Sequence, residues 1–465
     1  MVQKNSNQIL EETTSTDYPV GISNDILQKI SELAQAELKD DILDITSTLH
    51  VPDIADLLEQ LPKDQRTYII SILSPRLDTE IFIYVENAIQ KEILKYLSLK
   101  DIARTIVHLE SDDALDLLED LDEESQNAII RLLPEQTKKL VEEGLSFPED
   151  SAGRLMQREL VAVPDFWTVG RTIDYLRDTT FDLPDQFYAI FITNSKQEIM
   201  GTVPLSKLVR ESKVTRIRDI ATKELHTIES DLDQEDVSLL FRQYGLISAP
   251  VVDNKNRLIG MITIDDVVSV IDEEAEEDIL NLAGVGESDF HASVMQTSFQ
   301  RTKWLIVTLI NTIIATFVIS HFEHTLENFV ALAVLMPITA AMGGNAGLQV
   351  VTVTVRSLAM RYITPYNMYR VIIKECSIAL LYAIFFATIS VGIAYLWFQN
   401  LKICLALGLA MLFNLFWAGL AGTTIPIILS KFDIDPAVTA GPFLSATTDV
   451  LGYMLFLGFA TLLLF

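Results

Sequence analysis

The last thirty residues, Pro436 to Phe465, form an almost unbroken apolar stretch that contains a single carboxylate, Asp449. A helix of this length crosses a bilayer, which requires about 20 apolar residues at about 1.5 Å each. Asp449 follows Asp435 by fourteen residues, about 21 Å along a helix axis, and so falls near mid-membrane. A charged carboxylate there costs about 2.5–3.5 kcal/mol and ordinarily faces a water-filled path or a partner. The stretch therefore predicts a membrane helix with a cation site, and a protonated Asp449 inside a helix bundle is the alternative.

Four further apolar stretches precede it, at about 304–322, 328–355, 376–399 and 403–430. Five spans place the two chain ends on opposite sides of the membrane. Most Lys and Arg residues of this part fall on the side of the N-terminal residues, whereas the other side has mainly His, Glu and Lys402. The positive-inside rule then predicts cytosolic N-terminal domains and a C-terminus outside.

The charge of the chain is unevenly distributed. The net charge of −29 divides into −31 for residues 1–300 and +2 for residues 301–465. A strongly acidic soluble part attracts cations and repels nucleic acid, so no nucleic-acid partner is expected. Residues 1–20 are polar, which predicts a disordered tail. They contain no apolar core like that of a signal peptide. Both cysteines lie in apolar stretches, which excludes a disulfide framework or a zinc cluster.

Residues 21–150 have helical apolar spacing throughout and contain an internal repeat. The sequence PDIADLLEQL at 52–61 returns as DDALDLLEDL at 112–121. Such repeats predict short helices stacked in a superhelix. Asp112 and Asp116 lie one helical turn apart, so they are candidates to share a divalent ion. A solvated acidic face is the alternative.

Residues 151–220 and 221–271 repeat a plan in which short apolar runs alternate with helical patterns. The second copy ends with Gly260, Thr263 and Asp266 in a Gly-x-x-Thr-x-x-Asp spacing. This region resembles a tandem pair of CBS domains. The resemblance implies an adenine nucleotide such as ATP, with Thr263 and Asp266 at the ribose, and a purely structural pair is the alternative.

An acidic run at 272–278 opens a predicted connecting helix over residues 272–300. Such runs are usually solvated helix faces. Here the run lies on the only covalent link between the soluble and membrane parts. A regulatory role is therefore as well supported as a solvated helix face.

The second span contains Pro337 and then the run Met342-Gly343-Gly344-Asn345-Ala346-Gly347. Gly343 and Gly347, four residues apart, permit close helix packing. The run is also too interrupted to predict a plain helix, and freed backbone carbonyls are tolerated only beside a cavity or inside protein. Asn414 in the fourth span indicates similarly tight packing.

This order of segments resembles the MgtE family of magnesium transporters or channels over about residues 25–465. The most specific segments are residues 148–156 (PEDSAGRLM), residues 342–347, and Asp435-Pro436-Ala437 with Thr447-Thr448-Asp449. The resemblance implies a homodimer in the plasma membrane, with a pore for hydrated Mg²⁺ at the dimer interface. Asp449 and Ser445 would line this pore and Asp435 would lie near its cytosolic mouth, while Gly343, Gly344, Asn345 and Gly347 would pack around it.

The family resemblance also implies closure by cytosolic Mg²⁺, bound by acids between the soluble domains and the connecting helix. At low Mg²⁺ the acidic domains repel one another, and at high Mg²⁺ bridging ions lock the helix over the pore. The residues implied for this sensor are Asp112, Asp116, Glu235, Asp266, Glu274, Glu277 and Asp278.

The predicted fold class is a multi-domain membrane protein: an α-helical superhelical domain, an α/β CBS pair, a connecting helix and an all-α domain of five membrane helices. The predicted function is Mg²⁺ transport rather than catalysis. Transport of Co²⁺, Ni²⁺ or Mn²⁺ is disfavoured because the spans offer oxygen rather than softer ligands. A membrane enzyme would need a partner for Asp449 that the spans lack, and a non-transporting sensor would have no use for Asp449.

Overall fold

The computed structural model describes residues 21–465 except 75–76, 120, 181–182, 185–186, 223, 286–293 and 433. The predicted disordered tail, residues 1–20, lies outside the described residues. The chain forms two compact units, of which one ends at Val268 and the other begins at Ser269.

The first unit begins with short helices packed around one apolar core. Several are capped by the side chains that sequence places before them: Asp122, for example, accepts a hydrogen bond from the Ser125 backbone N–H. Isoleucines and leucines on the inner faces, such as Ile69, Ile89 and Leu118, are fully buried. The helices are α1 (Asn24–Gln35), α2 (Lys39–Thr46), α3 (Val51–Gln60), α4 (Lys63–Leu73), α5 (Ile81–Tyr84), α6 (Asn87–Leu94), α7 (Leu99–His108), α8 (Ser111–Glu119), α9 (Glu123–Ile130) and α10 (Glu135–Gly144).

Two three-stranded sheets follow, and their topology is the same. In each sheet the first strand pairs in parallel with the second, which pairs antiparallel with the third. This repetition agrees with the predicted pair of α/β domains. The elements are α11 (Ala152–Leu155), β1 (Ala162–Pro164), α12 (Val169–Leu176), β2 (Ala189–Thr193), β3 (Ile199–Pro204), α13 (Leu205–Arg210), α14 (Ile217–Ile220), β4 (Ile228–Glu229), α15 (Gln234–Tyr244), β5 (Ser248–Val252) and β6 (Leu258–Thr263).

The connecting helix, α16 (Ile264–Leu282), begins directly after β6. It starts earlier than the predicted 272–300 and ends at Leu282, after which Gly284 has a positive φ of 70°. A glycine in this left-handed conformation is a common helix terminator.

Five helices in the second unit are long and apolar enough to cross a membrane. They agree with the five predicted spans, and a short helix joins the first two. The elements are α17 (Val294–Ser320), α18 (Glu323–Asn328), α19 (Val330–Ala359), α20 (Met368–Phe398), α21 (Leu401–Lys431) and α22 (Pro436–Leu464).

Helix α21 is the most buried of the membrane helices and packs against α19, α20 and α22. The glycine run of the second span lies inside the continuous helix α19, so the expectation that this run could not form a plain helix was wrong. The neighbouring helices approach this run closely because glycine has no side chain, and the resulting packing compensates for the low helix propensity of glycine.

Candidate functional site

Carboxylates from three segments of the first unit meet in an acid cluster. We define the acid cluster as Glu110, Asp112, Asp113 and Asp116 at or in α8, Glu159 after α11, and Asp265 and Asp266 in the first turn of α16. The structure therefore brings together three of the predicted sensor residues, Asp112, Asp116 and Asp266. The other four members, Glu110, Asp113, Glu159 and Asp265, were not predicted from the sequence, because their local spacing does not indicate what α8 packs against.

Four carboxyl groups of the acid cluster have raised pKa values: those of Glu110, Asp112, Asp113 and Asp266. Burial, and next the charge of Asp266, raise the pKa of Asp112 well above its ordinary value. The same causes raise the pKa of Asp113 to about 7. Burial and the charge of Glu159 raise the pKa of Glu110. Ionised, the cluster is an unfavourable concentration of negative charge that a cation would relieve.

Asp112 is the deepest member of the acid cluster. Its side chain is only 5% exposed, and its Oδ1 atom has no hydrogen-bond partner among the described residues. Asp266 is better satisfied, since one of its oxygens accepts a 2.6 Å hydrogen bond from the Thr263 hydroxyl. A buried carboxylate oxygen that accepts no hydrogen bond destabilises the fold. Carboxylate oxygens are also the ligands that Mg²⁺ prefers, so a bound Mg²⁺ would satisfy this oxygen.

The described residues contain no group of three His, Cys, Asp or Glu side chains that already has the arrangement of a finished metal site.

The remaining predicted sensor residues lie elsewhere. Glu235 is exposed in the first turn of α15, where its backbone N–H donates to Asp233. Glu274, Glu277 and Asp278 occupy the half-buried face of α16, and Glu277 accepts a hydrogen bond from Asn281. These four residues are not members of the acid cluster.

The sequence PEDSAGRLM joins the helical domain to the second CBS unit. The Gly153 backbone N–H donates to the Ser230 carbonyl, and the Arg154 guanidinium donates to the carbonyls of Leu145 and Phe147. Arg154 also forms an ion pair with Glu119, in the same helix as Asp112. The motif thus fixes the position of α8 beside the CBS pair.

The predicted ribose contacts are hydrogen-bonded to each other: the Thr263 hydroxyl donates to Asp266, which is itself a member of the acid cluster. Gly260 has a packing role: a Cβ atom there would come within 2.5 Å of the Met156 sulfur. The hydroxyl and carboxylate pair fits the hydroxyl groups of a ribose, whereas the adjacent carboxylates would repel phosphates.

In the membrane unit, Asp449 is half-buried on α22, and Ser445, one turn earlier, is exposed. Asn345 on α19 is exposed as well, and Gly344 has no atom within 4 Å of an added Cβ. The hydroxyls of Thr447 and Thr448 donate to the backbone carbonyl of Leu444 rather than to Asp449. Polar groups of α19 and α22 therefore face away from the packed interior of this single chain.

Two of the four predicted packing residues of α19 are in close contact with neighbouring helices. A Cβ on Gly343 would come within 2.3 Å of the Asn414 amide nitrogen, and one on Gly347 within 2.6 Å of Leu444. Asn414 is fully buried and donates a 2.9 Å hydrogen bond to the Thr339 carbonyl. Gly344 and Asn345 do not share this packing role, because they lie on the open face.

The C-terminal end of α16 packs on one end of the helix bundle. Leu282 contacts the apolar cluster that includes Val351, Ala437 and Leu444. Its carbonyl oxygen lies 3.8 Å from where a Cβ on Gly441 would be. Gly441, Ser445 and Asp449 are spaced four residues apart, so Leu282 lies over the helix face that carries the predicted pore residues.

Two predicted site carboxylates, Asp278 and Asp435, are close enough at the same end for their charges to interact. Asp435 caps α22 by accepting a 2.7 Å hydrogen bond from the Ala437 backbone N–H. Burial, and next the charge of Asp435, raise the pKa of Asp278 on α16. A cation between these two carboxylates would attach α16 to α22.

Five helices of membrane-spanning length, a half-buried carboxylate on the last of them and an acid cluster in the first unit are the features of a divalent-cation transporter. A family model described as a divalent cation transporter matches residues 336–459. Models of the MgtE intracellular N domain and of the CBS domain match residues 49–150 and 217–273.

The magnesium transporter MgtE of Thermus thermophilus is 30% identical over 427 residues, which cover 90% of this chain and 94% of that protein. The magnesium transporter MgtE of Bacillus subtilis is 26% identical over 437 residues, 94% of this chain and 96% of that protein. The solved cytosolic domain of the Mg²⁺ channel MgtE in complex with ATP is 28% identical and covers 52% of this chain and 99% of that chain, with a TM-score of 0.48.

The chain belongs to the MgtE family of magnesium transporters. The predicted family, fold class and transported ion are thereby confirmed.

Proposed function

We propose that the protein is a Mg²⁺-selective pore formed by two copies of the chain and closed by Mg²⁺ on the cytosolic side. One observation carries the gating proposal. Helix α16 begins with two members of the acid cluster and ends with Leu282 packed over the face of α22 that carries Ser445 and Asp449.

The pore would be lined by α19 and α22 of both copies. Support comes from the polar residues that face away from the packed interior of one chain, Asn345, Ser445 and half-buried Asp449. Such groups are costly against lipid and favourable beside water or a partner. Two Asp449 carboxylates, one from each subunit, would hold hydrated Mg²⁺ through its waters, since direct ligation would retain the ion too tightly for conduction.

The gate would work through charge. Without Mg²⁺, the ionised acid cluster repels itself, which favours separation of α8 from the start of α16. With Mg²⁺ bound, Asp112, Asp113 and Asp266 are drawn together and α16 is held in place. The Asp278–Asp435 pair supplies a second position where an ion would stabilise α16 on the bundle. Mg²⁺ thus selects the closed state because it binds that state more tightly.

The side on which α17 begins carries the excess of Arg and Lys, which supports a cytosolic position for residues 1–268 and a C-terminus outside. The homologous transporters and the five apolar spans support a plasma-membrane location. Feedback by cytosolic Mg²⁺ would then limit accumulation of the ion.

A nucleotide role for the CBS pair is a second proposal. The Thr263–Asp266 pair supplies the ribose-binding groups, and bound Mg²⁺ would neutralise the carboxylates that disfavour phosphates. Calorimetric titration of the full-length protein with ATP, with and without Mg²⁺, tests it. Equal binding by wild type and Thr263→Val would exclude this pair as the ribose site.

The pore assignment is tested by Mg²⁺ flux into liposomes that contain the purified protein. Asp449→Asn keeps the size of the side chain and removes its charge, so flux should fall at least tenfold. Asp449→Glu keeps the charge and should retain partial flux. Glu375→Gln on α20, a carboxylate outside the proposed pore, is the matched control for loss of one negative charge from a long apolar helix. Normal flux through Asp449→Asn would exclude Asp449 as the selective site.

Selectivity is tested in the same liposomes with Co²⁺, Ni²⁺ and Mn²⁺ in place of Mg²⁺. A pore that recognises the hydrated ion through oxygen should favour Mg²⁺. Faster flux of a softer ion would support the rival assignment.

A further inference from the structure

The loop between α19 and α20, with the helix turns that flank it, is strongly basic. We name residues 356–374 the interfacial surface. It contains four cations and no carboxylate. All four cations, Arg356, Arg361, Arg370 and Lys374, are exposed in the chain. This local excess contrasts with a chain whose net charge is −29.

The interfacial surface must lie at the membrane boundary. Helix α19 has 30 residues and α20 has 31, so each is about 45 Å long. The hydrocarbon core is about 30 Å thick, so the last turns of α19 and the first turns of α20 reach the headgroup region. Alternation of the spans puts the surface on the side of the membrane where α17 begins.

Three tyrosines lie among the cations, and their side chains point away from the bundle. Tyr362 and Tyr369 are exposed, and Tyr366 is 100% exposed. Tyrosine is enriched at membrane interfaces, where its ring contacts the lipid and its hydroxyl contacts water. The three side chains are suited to the headgroup layer.

The loop is held in shape by Asn367. Its Oδ1 atom accepts a 2.8 Å hydrogen bond from the Thr364 backbone N–H, and its Nδ2 donates 2.7 Å to the Tyr362 carbonyl. These bonds fix the loop that presents Tyr362 and Tyr366. The surface is therefore ordered before any ligand binds, which reduces the entropy lost on binding.

The basic face of α20 continues into an apolar stripe. Arg370 and Lys374 are one helical turn apart, and Ile378, Leu381 and Phe385 follow on the same face, all exposed. Two cations at the end of an exposed apolar helix face match the arrangement of a lipid, whose phosphate headgroup lies above its acyl chain. A soluble carboxylate partner would use the cations and leave this stripe without a role.

We propose that the interfacial surface binds anionic phospholipids of the leaflet on the side where α17 begins. Arg370 and Lys374 contact the lipid phosphate, Arg356 and Arg361 add to the attraction, and the acyl chain lies along Ile378 and Leu381. The opposite boundary lacks such a surface, because Glu323 and Glu327 lie there and Lys402 is its one Lys or Arg beside the described helix ends.

The test is native mass spectrometry of the purified full-length protein with equal amounts of phosphatidylglycerol and phosphatidylcholine. The wild type should retain phosphatidylglycerol preferentially. Arg370→Gln/Lys374→Gln should lower this preference by roughly 25-fold, about fivefold for each cation. Lys374→Gln alone should lower it about fivefold.

Two control variants complete the test. Arg370→Lys/Lys374→Arg keeps both charges and should retain the preference, and Lys402→Gln at the opposite boundary should leave it unchanged. The proposal is overturned if the wild type shows no preference for the anionic lipid. It is equally overturned if the preference survives in the double Gln variant, which would assign these cations to another partner such as acidic groups of the chain.

Discussion

Asp113→Asn offers a quantitative test of the acid cluster in the absence of Mg²⁺. The pKa of Asp113 rises from 3.8 to about 7, chiefly because packing removes much of the carboxyl group from water, and next because of the charge of Asp266. One pKa unit corresponds to about 1.4 kcal/mol, so the ionised carboxylate costs the folded unit up to about 4 kcal/mol. The new amide must still be desolvated and loses a favourable interaction with the α8 dipole. We therefore expect the variant to be more stable than wild type by about 2 kcal/mol at pH 8 in EDTA.

The contribution of Asp113 to folding stability decreases as pH rises. A carboxyl whose pKa is higher in the folded than in the unfolded state binds more protons when folded, so stability falls as pH rises between the two values. For Asp113 this window runs from 3.8 to about 7. The difference between wild type and Asp113→Asn should be large at pH 8 and small near pH 4, where the wild-type carboxyl is protonated.

The measurement is urea unfolding of residues 1–282, followed by circular dichroism with EDTA and with Mg²⁺. Mg²⁺ should stabilise wild type more than Asp113→Asn, because the variant has lost a ligand charge. Glu123→Gln, an exposed acid in the first turn of α9, is the matched control and should change stability by less than about 0.5 kcal/mol. Equal stability of Asp113→Asn and wild type at pH 8 in EDTA would refute the reasoning.

Two further predictions concern the membrane unit. Gly343→Ala should destabilise the helix bundle by about 1–3 kcal/mol, because its Cβ would come within 2.3 Å of the Asn414 amide, whereas Gly344→Ala meets open space and should be tolerated in a thermal-unfolding assay. Leu282→Ala should increase Mg²⁺ flux at high cytosolic Mg²⁺, because α16 loses its apolar contact with the bundle, and Ile279→Ala, exposed on the same helix, should not. Unchanged closure in the Leu282 variant would show that this contact does not hold the gate.

Features encoded locally could be predicted from the sequence. The five apolar stretches, each of about 20 residues or more, are long enough to cross a bilayer. The repeated strand and helix plan predicted two similar α/β domains, which resemble a CBS pair. The internal repeat at 52–61 and 112–121 indicated stacked helices. Each of these signals depends on neighbouring residues and periodicity.

Features that depend on packing could not be predicted. Glu110 and Asp113 resemble ordinary solvated acids in sequence, and their raised pKa values come from tertiary packing and from the charges at the start of α16. The continuous helix through the glycine run was missed because the compensating neighbours, such as Asn414, lie on another helix. Burial of a charge is a tertiary property, and local spacing does not reveal it.

The central claim is that Mg²⁺ bound by the soluble acids closes the pore. The most direct measurement is Mg²⁺ flux through the full-length protein in liposomes, with Mg²⁺ varied on the side that bears residues 1–268. Flux should fall as this Mg²⁺ rises. In Asp112→Asn/Asp113→Asn flux should depend much less on this Mg²⁺, because the variant has lost both the repulsion that favours the open state and two carboxylates that bind the ion. Closure at the same Mg²⁺ concentration in wild type and the double variant would contradict the account.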